Sequence, residues 1–132
     1  METIRKAGAL IFNGKKILIV KSKGKPYFIS PGGKYEEGET AGDCLQRELQ
    51  EELQVQLVSF SHYKTYYFQK AAHSDSPLLI ELYIVKVRGD FKISSEIEAM
   101  EWFSKKDFDN KNFNLAPSYD TFVPDFIVDG LL

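Results

Sequence analysis

The segment from Ala41 to Leu53, AGDCLQRELQEEL, constrains the fold more than any other part of the chain. Its leucines recur every fourth residue, so at about 100° per residue they form one apolar arc of a helix. Thr40, just before the segment, is a residue type that caps helices, and Asp43 places a negative charge in the first turn. The sequence therefore predicts an amphipathic helix over residues 41–53 with a buried leucine face.

The same helix carries an unfavourable cluster of carboxylates. Glu48 is one turn from both Glu51 and Glu52, and like charges at this spacing destabilise a helix by roughly 0.2–0.5 kcal/mol a pair. Glu52 projects into the leucine arc and Glu48 lies beside it. A divalent cation such as Mg²⁺ or Mn²⁺ would compensate these charges through oxygen ligands. A solvated acidic surface is the alternative, and the helix alone does not decide between the two.

Segments rich in β-forming residues lie on both sides of this helix. Asn13-Gly14 favours a tight turn, so residues 4–12 and 16–21 are predicted to form a hairpin. A short apolar piece at 27–30 ends at Pro31-Gly32-Gly33, and a loop is predicted from there to Glu39.

Further strands are predicted after the helix, at residues 54–60, 63–69, 78–87 and 98–103, with the polar loop AAHSDSP before the third of them. Ser104 opens a helical turn, and a terminal helix covers 118–131, where Pro124 should kink or interrupt it. This order predicts one α+β domain over residues 1–132, an α/β/α layered arrangement with a mixed β-sheet, a central helix and a C-terminal helix.

Composition excludes several classes of partner. The net charge of −2 provides no basic field for a nucleic-acid backbone, so we expect a small phosphorylated ligand and no polymeric nucleic acid. Cys44 is the single cysteine, and no apolar run approaches the ~18 residues of a membrane span. With no signal peptide recognised, we expect a cytoplasmic protein without a membrane partner, as a monomer or a homodimer.

A longer motif surrounds the acidic helix. From Gly33 the sequence reads G-x5-E-x7-R-E-L-x-E-E-x-Q-V. The specified residues are Gly33, Glu39, Arg47, Glu48, Leu49, Glu51, Glu52, Gln54 and Val55. This pattern closely resembles the box of the Nudix hydrolase family, G-x5-E-x7-R-E-U-x-E-E-x-G-U, where U is aliphatic. The chain is similar to the small, single-domain, MutT-like members, whose fold is the layered one predicted above.

Gln54 is the one departure from the box, which has glycine at this position. That glycine usually ends the helix in a left-handed conformation, which costs a non-glycine residue roughly 1 kcal/mol. The substitution puts the geometry of the helix end in doubt, but it removes no candidate ligand.

The resemblance implies a role for each matching residue. Glu48 and Glu52 are expected to be the principal ligands of Mg²⁺ or Mn²⁺, with the Gly32 carbonyl as another ligand. Glu51 is a further ligand or a candidate base. Arg47 would orient Glu51, supported by Glu39; a purely structural ion pair of Arg47 and Glu39 is equally compatible with the sequence.

A general base outside the box is also implied. In MutT-like enzymes the base lies on a loop some six residues before a tryptophan, and Glu96 is six residues before Trp102. Glu98 is the close competitor, and both could simply be exposed loop acids.

Four residues are predicted to bind the substrate. Lys23 and Lys34 would contact its phosphates, Phe28 would stack on a nucleobase, and Asn114 would hydrogen-bond a purine. Solvation of the lysines, core packing of Phe28 and a loop role for Asn114 are the alternatives.

The expected function is hydrolysis of a phosphoanhydride bond in a nucleoside diphosphate linked to another moiety. The favoured substrate is a nucleoside triphosphate, oxidised purines included, which would yield the monophosphate and pyrophosphate. The alternatives are a hydrolase of ADP-ribose or another nucleotide conjugate, a non-catalytic nucleotide-binding module, and an interaction domain that uses the acidic helix. Because every acid of the box is present, an enzyme is favoured.

Overall fold

The computed structural model describes residues 2–71 and 74–132. Its strands are β1 Ile4–Leu10, β2 Phe12–Asn13, β3 Lys16–Ser22, β4 Gly32–Lys34, β5 Gln56–Phe68, β6 Leu78–Arg88 and β7 Ile97–Phe103. Its helices are α1 Ala41–Leu53, α2 Lys105–Asp109 and α3 Tyr119–Val128. Part of the predicted AAHSDSP loop, residues 72 and 73, lies outside the described residues.

The described strands form two sheets, ordered β4-β1-β6-β5 and β2-β3-β7. β1 pairs with β6 in parallel, whereas the other pairings are antiparallel. This confirms the predicted mixed sheet.

Two cores lie on opposite faces of the strands. In β1, Ala7 and Ala9 pack against the leucines of α1, while Leu10 packs with the aromatic residues of α3. β3 divides in the same way, with Leu18 in the first core and Ile19 in the second. Successive side chains of a strand point to opposite faces, so the strands lie between α1 and α3. The predicted α/β/α layering is confirmed.

The predicted hairpin is wrong for most of its length. Only Phe12 and Asn13 pair with β3, opposite Ile17 and Lys16. β1 instead lies between β4 and β6, because a strand buried on both faces is stable in the interior of a sheet. The Asn13-Gly14 turn itself is present, with Gly14 at a φ of 61°.

Two further boundaries differ from the prediction. Gly32–Lys34, predicted as turn and loop, form β4 and pair with residues 6–8 of β1. The strands predicted at 54–60 and 63–69 are one strand, β5, whose register shifts at Leu57/Ser59 and His62/Lys64. Bulges of this kind let a strand at a sheet edge accommodate an irregular pattern without ending.

The C-terminal helix continues through Pro124 and ends at Val128, so Pro124 does not interrupt it and the predicted end at 131 is wrong. Ser104 caps α2 through the Asp107 backbone N–H, as the sequence predicted for a helical turn at this residue.

Within the described residues, no helix has the length and apolar character needed to span a membrane.

Candidate active site

The two ends of α1 fix its position. Thr40 accepts a hydrogen bond from the Asp43 N–H, and the Asp43 carboxylate accepts one from the Thr40 N–H. This reciprocal cap satisfies two backbone donors that the first turn leaves open. At the other end, Gln54 adopts the left-handed conformation, with φ 57° and ψ 38°. Its side-chain amide donates to the Lys92 carbonyl at 3.3 Å, so a glutamine ends the helix as the glycine of the box would.

Arg47 is the centre of an ion-pair network that we call the Arg47 cluster, made of Arg47 with Glu36, Glu39, Glu48 and Glu51. Its guanidinium donates to both carboxylate oxygens of Glu39, at 2.7 and 2.9 Å. This bidentate contact lowers the pKa of Glu39 to about 2. The third and fourth carboxylates, Glu48 and Glu51, lie 2.8 and 3.4 Å from the same nitrogen of Arg47.

Arg47 also joins the helix to β4. One of its terminal nitrogens donates to the Lys34 carbonyl at 2.9 Å. The cluster therefore fixes α1, the loop containing Glu39 and the end of β4 relative to one another. The structure pairs Arg47 with Glu39, as the box implies. Glu51 makes a longer contact with Arg47, at 3.4 Å.

Glu52 has a different environment, because it is buried, with 6% of its surface exposed. One carboxylate oxygen accepts a hydrogen bond from the Gly32 N–H at 2.8 Å. Burial raises the pKa of Glu52 to about 8, with Glu48 and Glu96 contributing by repulsion. Burial also raises the pKa of Glu48. Within the described residues, no Lys or Arg forms an ion pair with Glu52.

Two glycines allow β4 to lie close to its neighbours, β1 and α1. Gly32 has a φ of 133°, and a Cβ there would lie 2.1 Å from the Ala7 carbonyl oxygen. At Gly33 a Cβ would lie 2.6 Å from a carboxylate oxygen of Glu48. The carboxylate of Glu48 thus occupies the space that a side chain at position 33 would need, which explains the glycine there.

The loop before β7 is held at the end of α1. The Ser94 N–H donates to the Glu52 carbonyl at 3.0 Å, and the Lys23 N–H donates to the Glu96 carbonyl at 2.9 Å. Glu96 is exposed and close enough to Glu48 and Glu52 to repel both. Glu98, the competing candidate, is paired with Lys21 at 2.8 Å. Glu98 lies in β7, so of the two candidate acids it is Glu96, on the loop, that acts electrostatically on the glutamates of the helix.

A cleft of about 1430 Å³ opens beside these groups and includes Glu52 in its lining. Lys34 lines it as well, whereas Lys23 does not. Phe28 packs edge-to-face on Phe113, with ring centroids 5.4 Å apart, and the neighbouring Tyr27 lines the cleft in its place.

Asn114 lies on the strand-like segment beside this cleft. Its amide donates to the Pro26 carbonyl at 2.5 Å, and its own carbonyl accepts from the Phe28 N–H at 2.8 Å. These two hydrogen bonds connect Asn114 to the segment 26–28. Tyr27 of that segment lines the cleft.

The donor set matches a hard divalent cation in its chemistry. Glu48, Glu51 and Glu52 offer only oxygen ligands, and burial raises the pKa of two of them, Glu48 and Glu52, so a cation would favour their ionised form. Within residues 2–71 and 74–132, no three Asp, Glu, His or Cys side chains already converge as a metal cluster. One oxygen of Glu48 is bound to Arg47 and one oxygen of Glu52 to Gly32. The residues fit the cation by charge and ligand type.

The profile of the NUDIX domain family matches residues 2–126. The chain belongs to the NUDIX domain family. This confirms the resemblance seen in the box, and with it the enzyme class: the protein is a Nudix pyrophosphohydrolase, and the family as a whole acts on compounds that contain a linked nucleoside diphosphate.

Individual Nudix relatives agree with this assignment. The Uncharacterized Nudix hydrolase YvcI of Bacillus subtilis (strain 168) is 25% identical over 118 residues, covering 87% of this chain and 73% of the relative. The structure of a MutT protein from Methanosarcina mazei Go1 matches with a TM-score of 0.81 at 21% identity, covering 97% of this chain and 95% of that one. A NUDIX hydrolase from Nitrosomonas europaea matches with a TM-score of 0.80 at 19% identity, over 97% and 90% of the two chains. Both structures show the fold.

Sequence reasoning missed Lys6, which lines the cleft of this Nudix domain on the same face of β1 as Gly8 and Leu10. The available signal was its position in a predicted strand, between Arg5 and the small residues Ala7 and Gly8. The sequence favoured lysines near the loops, Lys23 and Lys34, for phosphate binding.

Proposed function

We propose that this Nudix enzyme hydrolyses nucleoside triphosphates, purines with an oxidised base included, to the nucleoside monophosphate and pyrophosphate, and that it requires Mg²⁺ or Mn²⁺. The observation that carries the proposal is Glu52, a buried carboxyl that lines the cleft and, within the described residues, forms no ion pair with a Lys or Arg. Because burial raises its pKa to about 8, this carboxyl ionises readily near neutral pH only when a cation joins it. The lysines of the same cleft supply the charge that a polyphosphate requires.

The proposed metal ligands are Glu48, Glu51 and Glu52 with the Gly32 carbonyl. When bound, the divalent ion polarises phosphoryl oxygens and lowers the pKa of a water molecule. The protein's own groups position the substrate and the water, which supplies much of the catalysis in phosphoryl transfer.

Glu96 is the proposed general base. Its loop is tied to the last turn of α1 through Ser94 and to the end of β3 through Lys23, so its side chain is held near the glutamates of the helix. Glu98 is bound to Lys21, which leaves it less suited to accept a proton. Hydrolysis removes one proton from the attacking water, and the Glu96 carboxylate takes it.

The Arg47 cluster positions these groups. Arg47 holds one oxygen of Glu48 and approaches Glu51 while Glu39 fixes its guanidinium from the other side. We assign Arg47 and Glu39 a positioning role, because their contacts are with other side chains and with the Lys34 backbone.

A product-resolved screen tests this proposal. Purified protein with Mg²⁺ is incubated with canonical and oxidised nucleoside triphosphates, nucleotide sugars, ADP-ribose and dinucleoside polyphosphates, and the products are separated by ion-exchange chromatography. We expect monophosphate and pyrophosphate from at least one triphosphate, and no turnover when the divalent ion is removed by EDTA. Turnover of ADP-ribose or a nucleotide sugar without turnover of any triphosphate would transfer the substrate assignment to nucleotide conjugates. A folded protein that hydrolyses none of them would contradict the proposal.

A further inference from the structure

Lys6 is a half-buried lysine in the wall of the cleft. Burial lowers the pKa of its ammonium group, and Lys34 and Lys25 lower it further by repulsion. Within the described part of the chain, Lys6 forms no ion pair and its side chain donates no hydrogen bond. A partly buried ammonium group without an ion-pair partner is unfavourable, so this lysine is a poor choice for stability alone.

Two other lysines lie near Lys6, and Glu48 and Glu52 act on it in the opposite direction, favouring its charged form. Lys34 is its direct partner across the β1–β4 pair, and Lys25 lines the same cleft. Like charges directly opposite each other on two strands are destabilising. We call these three residues, Lys6, Lys25 and Lys34, the lysine wall. An anion bound between them would remove the repulsion.

The lysine wall has a defined position relative to the glutamates. The Gly32 N–H binds Glu52, and Gly32 pairs with Gly8 of β1. Lys6 is two residues before Gly8, about 7 Å along the strand and on the same face. This distance is longer than a single phosphoryl group. It matches the length of a chain of linked phosphates that has one end near Glu52.

We propose that Lys6 binds the terminal phosphates of a nucleoside triphosphate, and that this contact selects triphosphates over nucleoside diphosphate conjugates, which have no free phosphate at that end. This rests on the proposed function of the cleft and extends it to a residue outside the Nudix box. Lys34 and Lys25 assist by adding positive charge on either side. Lys6 thereby becomes a specificity-determining residue.

Binding measured apart from turnover tests this contact. Lys6→Gln, Lys6→Arg and a matched control, Lys86→Gln, are titrated by calorimetry in Mg²⁺ with the α,β-imido analogue of dGTP and with dGMP. Lys86 is exposed on β6 and does not line the cleft. We expect Lys6→Gln to weaken the binding of the analogue at least tenfold while dGMP binding changes less than twofold. Lys6→Arg should restore most of the affinity, and Lys86→Gln should match the wild type.

Three outcomes would overturn the inference: unchanged analogue binding by a folded Lys6→Gln, an equal loss for dGMP, or no binding of the analogue by the wild-type protein. Thermal unfolding of each variant identifies a loss that comes from the fold. If the wild type binds the analogue through Lys6 but hydrolyses no nucleotide, the proposed function fails while the contact stands. If the wild type hydrolyses triphosphates and Lys6→Gln shows a normal KM and normal analogue binding, only the contact fails.

Discussion

Arg47, the centre of the Arg47 cluster, and Glu52 lie on one helix, yet the fold compensates the charges around them in different ways. Around Arg47, four carboxylates share one guanidinium, and the pair with Glu39 has two short hydrogen bonds. Glu52 is more deeply buried and receives one hydrogen bond from the backbone of Gly32. The carboxylates of the Arg47 cluster therefore have a counter-charge in the folded chain, whereas Glu52 forms no ion pair among the described residues. Acids that appear alike in the box thus differ in environment, and Glu48, which contacts Arg47 and is also a proposed metal ligand, links the two groups.

The largest expected effect is that of Glu52→Gln. We expect turnover to fall by about a thousandfold or more, because a proposed ligand of the divalent ion loses its charge. The melting temperature should stay the same or rise, since a neutral amide is easier to bury than a carboxylate. Steady-state kinetics and thermal unfolding measure the two effects, with Glu101→Gln, an exposed acid of β7, as the control. Near-normal turnover would show that the buried Glu52 carboxylate is not required for activity.

Glu96→Gln should lower kcat by about a hundredfold, the range of a lost general base. Glu98→Gln is its matched control, and we expect less than a twofold change there because Glu98 is paired with Lys21. Pre-steady-state single-turnover measurements separate the chemical step from product release. The reverse result, a large loss for Glu98→Gln alone, would move the base two residues along the chain.

Gly33→Ala examines the boundary between the two groups, since Glu48 contacts both Arg47 and the backbone of Gly33. The added Cβ must displace the Glu48 carboxylate, so we expect about a tenfold loss of activity and a weaker response to Mg²⁺. In a Glu48→Ala background the same change should destabilise the protein much less, because the atoms that collide are gone. Equal destabilisation in both backgrounds, measured by urea denaturation, would show that another contact requires the glycine.

Glu39→Gln should lower activity no more than Gly33→Ala does, by about tenfold, and should have a clear effect on acid stability. The pKa of Glu39 is lowered to about 2 from 4.5 by Arg47. Its contribution to stability is therefore present above about pH 4.5 and is lost as the pH falls through about 2. Urea denaturation across this range should show a weaker pH dependence in Glu39→Gln than in the wild type or in Glu37→Gln, an exposed control. Identical curves would mean that the ion pair adds nothing to folding.

The site could be predicted from the sequence to the extent that it lies on a single helix. The spacing of the leucines and glutamates was sufficient to place Glu52 at a buried position, because helix geometry fixes which side chains share a face. The left-handed end at Gln54 was harder to predict, since a non-glycine residue seldom adopts this conformation. Its side chain also contacts the distant Lys92 carbonyl.

Residues that act across strands could not be predicted in the same way. The position of Lys6 opposite Lys34 depends on the pairing of β1 with β4, and the sequence favoured a hairpin with β3 instead. Phe28 and Tyr27 are adjacent in sequence, and only the direction of the chain in the fold decides which of them faces the cleft.

The sequence by itself determined the family, the capped acidic helix and the set of carboxylates, because these follow from local periodicity and from a motif within one short segment. The tertiary structure decided that β4 lies against β1, that Glu96 rather than Glu98 reaches the helix glutamates, and that a lysine of β1 faces the cleft. Strand register and loop position depend on contacts between distant parts of the chain, and side-chain alternation in a strand changes face with a shift of one residue.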